Sequence, residues 1–234
     1  PRIPGVKHQV PIETDPPQYF VIKKVLAPWF SARAINQYEA DIRQLVDDLL
    51  DQVIETGSAD AISDFAGPLP ARFILRMLGF DESDWFPFRE GAQAALGYAP
   101  PEVVKEKVGW IYQMVGDAIL SRRTDRDGRE DLICRLLDTH FEGVVVTDEL
   151  VTDILILLLI AGLDTTTSLI SHLMFSLSRE PGLRERLIAD PGLIPAAVEE
   201  SLRHDAVVQT IARRAKRDIE IAGAKISEGD MVLV

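Results

Sequence analysis

The sequence predicts a mainly α-helical fold with a small β portion at its C-terminal end. Three observations carry this. Apolar residues recur at helical spacing through most of the 234 residues. The apolar run from Ile154 to Leu163 contains no polar side chain, as expected of a helix buried in a globular core. Strand-like alternation is confined to the stretch after Ile211.

The elements follow in chain order. Ile35, Tyr38, Ile42, Leu45, Leu49 and Val53 give a helix over 34–55, with Gly57 as its stop. Residues 70–79 open on proline and close on glycine, as a short helix does. Val104, Val108, Ile111, Val115 and Ile119 mark a helix over 101–123. The charged stretch 122–130 reads as a solvated connector. Cys134 then sits in the apolar stripe Leu132, Ile133, Leu136, Leu137 as a small core residue. Thr147, Asp148 and Glu149 start a long central helix over about 147–178, with acids in its first turn. Shorter helices follow at 184–190 and 195–204. A β segment over about 211–234 turns at Gly223 and again at Ser227–Asp230.

Composition narrows the class. At 47% hydrophobic the chain is globular and long enough for a sizeable core. A net charge of −12 argues against a nucleic-acid binder. A single cysteine excludes an intrachain disulfide and fits the cytoplasm. No signal peptide or membrane anchor is expected, because the apolar run falls short of the roughly 20 residues a bilayer needs. The chain opens without methionine and stops inside the apolar strand Met231–Val234. It therefore reads as one partial domain over 1–234, truncated at both ends. There is no internal repeat.

The apolar run passes through Ala161 and Gly162 into Asp164 and Thr165. Buried polar groups without partners are costly, so an acid beside an alcohol here needs a reason. Gly162 lets something large lie against the backbone. The Thr165 hydroxyl can bond the Ala161 carbonyl, bending the helix and widening a turn that could hold water and pass protons. Alternatively the helix ends at Gly162 and Asp164 caps a second one.

Downstream motifs add to this. Ala161-Gly-Leu-Asp-Thr-Thr166 resembles the oxygen-activation motif of the haem-thiolate monooxygenases, the cytochrome P450 family. Glu200 and Arg203 match its Glu-x-x-Arg pair, and Arg213 to Gly223 resembles its Arg-x-Ala-x-x-Asp strand and turn. Asp15-Pro-Pro17 and Phe65 to Ala71 are similar to segments of soluble bacterial members. The five matches run in the family's order over nearly the whole chain.

The resemblance implies haem b, O2 as co-substrate, and electrons from NAD(P)H through a ferredoxin-type redox partner. The substrate would be a small or medium apolar molecule, and the protein a cytoplasmic monomer. Asp164 and Thr165 would be catalytic, relaying protons during oxygen activation. Ala161, Gly162, Tyr19, Lys23 and Arg213 would bind the cofactor, with Tyr19 and Lys23 replacing the family's usual His or Gln and Arg. Glu200 and Arg203 would form a buried structural pair. Leu157 and Val208 would border the substrate pocket. The iron's cysteine ligand would lie beyond Val234, and Cys134 would not be that ligand. Lys23 and Lys24 would form a basic docking patch.

Two other readings stand beside this one. Asp47, Asp48 and Asp51 match the Asp-Asp-x-x-Asp motif of isoprenoid synthases, and Asp47 and Asp51 could share Mg²⁺. The second metal motif is incomplete, because Ser171 stands where Glu is needed. A non-catalytic helical ligand-binding module is the other. His8, His140, His172 and His204 have no metal-ligand spacing.

Overall fold

A computed structural model describes residues 5–126, 128–139 and 146–234. The helices are α1 (Gln18–Leu26), α2 (Ala32–Ile35), α3 (Glu39–Asp51), α4 (Pro68–Leu78), α5 (Trp85–Gln93), α6 (Pro101–Thr124), α7 (Leu132–Asp138), α8 (Asp148–Arg179), α9 (Leu183–Ala189) and α10 (Ile194–His204). Four three-residue strands follow: β1 (Ala212–Arg214), β2 (Ile219–Ile221), β3 (Ala224–Ile226) and β4 (Met231–Leu233). The mainly α expectation holds. Contacts divide the chain into two compact units, one ending at Met174 and the other running Phe175–Val234.

The helix expected over 34–55 is broken. Ser31 accepts a hydrogen bond from the Ala34 amide and starts α2 early. A 3-10 turn at Asn36–Tyr38 then separates α2 from α3. Apolar spacing survives the break, so periodicity alone does not reveal it. Two π-helical turns, Ala61–Ala66 and Ala94–Tyr98, also leave no periodic trace. Asp60 caps the first by accepting from the Ile62 and Ser63 amides at 2.9 and 2.7 Å.

The core of the first unit is built around α8. Ile154, Leu155, Ile156 and Leu159 are fully buried, and Leu157 and Ile160 nearly so. Against this cluster pack Ala71, Ile74, Leu75 and Leu78 of α4, Val108, Ile111 and Val115 of α6, and Leu132, Ile133 and Leu136 of α7. By length and apolarity alone, 32-residue α8 could cross a bilayer, although the apolar run by itself is too short. Burial of its N-terminal half inside the unit marks that half as a core element.

Helix α8 continues through Gly162 and Asp164, which removes the reading in which one helix ends there and another begins. Gly costs roughly 1 kcal/mol in a helix interior, little against burial of several large side chains at about 1.5–3 kcal/mol each. The expected widened turn is absent too, since α8 keeps α-helical geometry through this stretch. The Ala161 carbonyl has two lone pairs and can accept the Thr165 hydroxyl without leaving the helical ladder.

Arg122, expected in a solvated connector, is instead in the last turn of α6 and only 6% exposed. Its Nη2 donates to Asp131 Oδ2 at 2.8 Å and to the Gly79 carbonyl at 2.5 Å. Asp131 also caps α7 by accepting from the Cys134 amide at 2.9 Å. Gly79 ends α4 with φ +87°, and a Cβ there would lie 2.6 Å from Asp131 Oδ2. One guanidinium thus ties the ends of three helices. Burial of Asp131 raises its carboxyl pKa, but the Cys134 amide and the Arg122 guanidinium outweigh that and hold it below the usual range.

In the second unit, β2 and β3 form a hairpin with Ile219 opposite Ile226. Its two-residue turn, Ala222-Gly223, has positive φ at both positions, the backbone that suits right-twisted strands. β1 pairs antiparallel with β4, placing Arg213 opposite Val232.

Arg122→Ala should destabilise the first unit, by up to roughly 3 kcal/mol, because it leaves the partly buried Asp131 carboxylate without its charge partner. The depressed Asp131 pKa stabilises the fold above the unfolded value and is lost as pH falls below about 3.9. Denaturation midpoints of wild type and Arg122→Ala should therefore converge in acid. A gap that persists undiminished there would show that the charge pair is not responsible.

Candidate functional site

Ala161 is the one exposed residue between Val151 and Leu163. On this open flank, one turn on, the Thr165 hydroxyl donates to the Ala161 carbonyl at 2.9 Å. Asp164 lies beside it, half-buried, with no hydrogen-bond partner among the described residues. Burial alone raises its carboxyl pKa. The turn therefore joins a hydroxyl that can donate and accept to a carboxyl biased toward its protonated form. Such a pair can hold and pass a proton.

Gly162 has a different neighbour. A Cβ there would lie 2.8 Å from Ile74 Cδ1 and 2.9 Å from Ile74 Cγ1. The large body against the bare backbone is thus a core side chain of α4. Leu157 is 4% exposed and joins the buried residues of α8. No open wall is formed by its side chain.

Tyr19 and Lys23 stand one turn apart on α1 and meet, with Lys23 Nζ 5.5 Å from the Tyr19 ring centroid. This is the distance of a cation–π contact. Lys23 and Lys24 are both exposed, in the last turn of α1.

Within the second unit, Glu200 and Arg203 do pair, with Arg203 Nε and Nη2 donating to the carboxylate at 2.8 and 2.6 Å. The guanidinium holds the Glu200 carboxyl below its usual pKa. The pair was expected to be buried. It is exposed here, at 69% for Arg203 and 60% for Glu200. Among the described residues, most of both side chains stays open to solvent. Arg213 on β1 is exposed and donates to the neighbouring Ala212 carbonyl at 3.1 Å. Val208 is 56% exposed.

The remaining candidates resolve simply. Asp47, Asp48 and Asp51 lie on the solvated face of α3, opposite the buried Leu45 and Leu49. Asp48 accepts from Gln44 Nε2 at 2.8 Å. No group of three or more metal-ligating side chains occurs among the described residues. Cys134 is buried in α7, and burial pushes its thiol pKa up, with Asp131 adding to the shift. His140 lies outside the described residues. His172 Nδ1 and Thr167 Oγ1, both on α8, are buried with no partner among the described residues. Sequence spacing gave no sign of these orphaned atoms, nor of the contact between Ile74 and Gly162.

No protein-family model matches the chain. Its sequence is 31% identical over 227 residues to mycinamicin IV hydroxylase/epoxidase of Micromonospora griseorubida, covering 95% of this chain and 57% of that protein. It is 30% identical over 224 residues to cytochrome P450 107B1 of Saccharopolyspora erythraea, covering 95% and 55%. The solved structure of P450BioI in complex with an acyl carrier protein bearing hexadec-9Z-enoic acid superposes with a TM-score of 0.84 at 30% identity, covering 94% of this chain and 58% of that one. The chain thus resembles bacterial cytochrome P450s and has their fold over the part it spans. It spans little more than half the length of these relatives.

Asp164 carries a stability signature of its own. A carboxyl whose folded pKa is raised by burial penalises the fold above its unfolded pKa and costs nothing below it. Asp164→Asn should therefore stabilise the chain at neutral pH, with the gain fading as pH falls into the ordinary carboxylate range. Thermal melts of both forms across that range check this. Equal melting at neutral pH would refute the desolvation of Asp164.

Proposed function

We propose that this chain, like the cytochrome P450s it resembles, is part of a haem b-dependent monooxygenase. The reaction inserts one oxygen atom of O2 into a small or medium apolar molecule. Electrons come from NAD(P)H through a separate redox protein of the ferredoxin type. The observation that carries the reading is the turn of α8 where the Thr165 hydroxyl bonds the Ala161 carbonyl beside a desolvated, unpartnered Asp164.

The residues present fit a flat, largely apolar prosthetic group with charged edges. Ala161 offers a small side chain at the open flank of an otherwise buried stretch of helix. In the first unit, Lys23 is a cation suited to a propionate group and Tyr19 can donate one hydrogen bond; in the second unit, taken by itself, Arg213 offers a guanidinium suited to the same use. When bound, the haem supplies the iron that binds and activates O2. Asp164, with its raised pKa, gives up a proton and recovers it from solvent. Thr165 passes that proton on by donating through its Oγ1, and the turn holds the hydroxyl in place. Lys23 and Lys24 steer an acidic partner by long-range attraction, which salt screens. Cys134 is not assigned as the iron's ligand, since its thiol is buried in α7.

In the haem-loaded protein, Thr165→Ala should keep haem and NAD(P)H consumption but divert electrons to hydrogen peroxide, raising peroxide per NAD(P)H several-fold. Undiminished coupling would remove Thr165 from the chemistry.

Arg213→Ala should release haem to an apo-globin acceptor faster than Lys23→Ala does. The planar guanidinium can grip a carboxylate with two bonds where an ammonium offers a point charge. The reverse order would refute the assignment of Arg213.

A further inference from the structure

We propose that Ile74, which lies outside the proton-handling turn, is a positioning residue. Packed on the bare backbone of Gly162, it sets how α8 is rotated and therefore where the Ala161 carbonyl and the Thr165 hydroxyl point. The proposal rests on the monooxygenase reading of that turn.

The geometry is specific. Ile74 is 6% exposed and lies on the buried face of α4 with Ala71, Leu75 and Leu78. A methyl at residue 162 would stand 2.8 Å from its Cδ1, 2.9 Å from its Cγ1 and 3.5 Å from its Cβ. Carbon atoms at optimal contact sit roughly 3.5–4.0 Å apart, so a methyl would force a displacement of about 0.7 Å. Rotating Cδ1 away relieves only the first contact. Moving Cγ1 requires a change in χ1, where a β-branched side chain is stiff. The helices themselves must then give.

The site lies within reach of that movement. Successive helical residues are turned by about 100°, which puts Gly162 next to Ala161 and about 60° from Thr165 around the axis. The bond between Thr165 Oγ1 and the Ala161 carbonyl spans position 162, so displacement there carries donor and acceptor together. A misplacement of about 1 Å at a reacting group can cost about 100-fold in rate. Isoleucine thus acts here without touching the reacting atoms.

The contact can be tested by trading side-chain atoms across it. Gly162→Ala adds a methyl on α8, and Ile74→Ala removes Cδ1 and Cγ1 from α4, so that in the double variant only the Cβ of residue 74 faces the new methyl, at 3.5 Å. In the haem-loaded protein, Gly162→Ala should raise peroxide formed per NAD(P)H two- to tenfold at unchanged haem content, and the double variant should restore coupling. Amide hydrogen exchange over residues 161–166, a readout independent of turnover, should speed up in Gly162→Ala and recover in the double variant. If Gly162→Ala does not accumulate, Ile74→Leu moves the branch while keeping the volume and should uncouple in the same way. Thr165→Ala is measured alongside. If it uncouples while Gly162→Ala and Ile74→Leu do not, or if the double variant stays as uncoupled as Gly162→Ala, the positioning role is overturned and the reading of the site survives. If Thr165→Ala stays coupled, that reading falls and takes the proposal with it.

Discussion

A helix that carries Ile154, Leu155, Ile156, Leu157, Leu159 and Ile160 in near succession has no polar face to offer water. It can persist only if other elements surround it, and the first unit is built on that requirement. The apolar faces of α4, α6 and α7 converge on it, and each is amphipathic because its other side meets solvent. Once α8 is enclosed, its direction is fixed, and so is the place where its character changes. The change occurs over one turn, from Ile160 to Thr165.

That turn is where the fold accepts cost. A glycine sits inside a helix, and a carboxyl loses water without gaining a partner. Neither feature improves stability. Both are tolerable because the long apolar stretch before them anchors the helix. The Arg122–Asp131 pair contributes differently, by fastening the ends of α4, α6 and α7 that hold the enclosure shut. Core packing and helix-end fastening therefore act on separate parts of the same cage.

Much of this was legible in the sequence. The long helix, the hairpin around Gly223 and the bond from Thr165 to the Ala161 carbonyl follow from periodicity, turn chemistry and hydroxyl geometry. What escaped depends on partners far away along the chain. Arg122 reads as solvated because its neighbours are charged, yet it finds Asp131 and the carbonyl of Gly79, 43 residues back. Gly162 reads as space for a ligand, and Ile74, far upstream, occupies that space. The ion pair between Glu200 and Arg203 was legible because it is local. Its exposure was not, since burial is decided by what lies opposite a face and not by the face itself. Helix α5 is hard to read because Pro87 and Gly91 inside it look like loop punctuation.

The bond between Thr165 and Ala161 has one more consequence. A lone hydroxyl in a core must find a fixed partner or suffer for lacking one. Thr165 instead keeps a standby acceptor in its own helix, at 2.9 Å. A neutral hydrogen bond of this kind is worth only about 0.5–1.5 kcal/mol. The hydroxyl is thus parked rather than committed. It can swing to a visiting group and return, while the carbonyl it leaves keeps its place in the backbone ladder. Valine would fill the same volume and hold the helix just as well, but it would have nothing to lend.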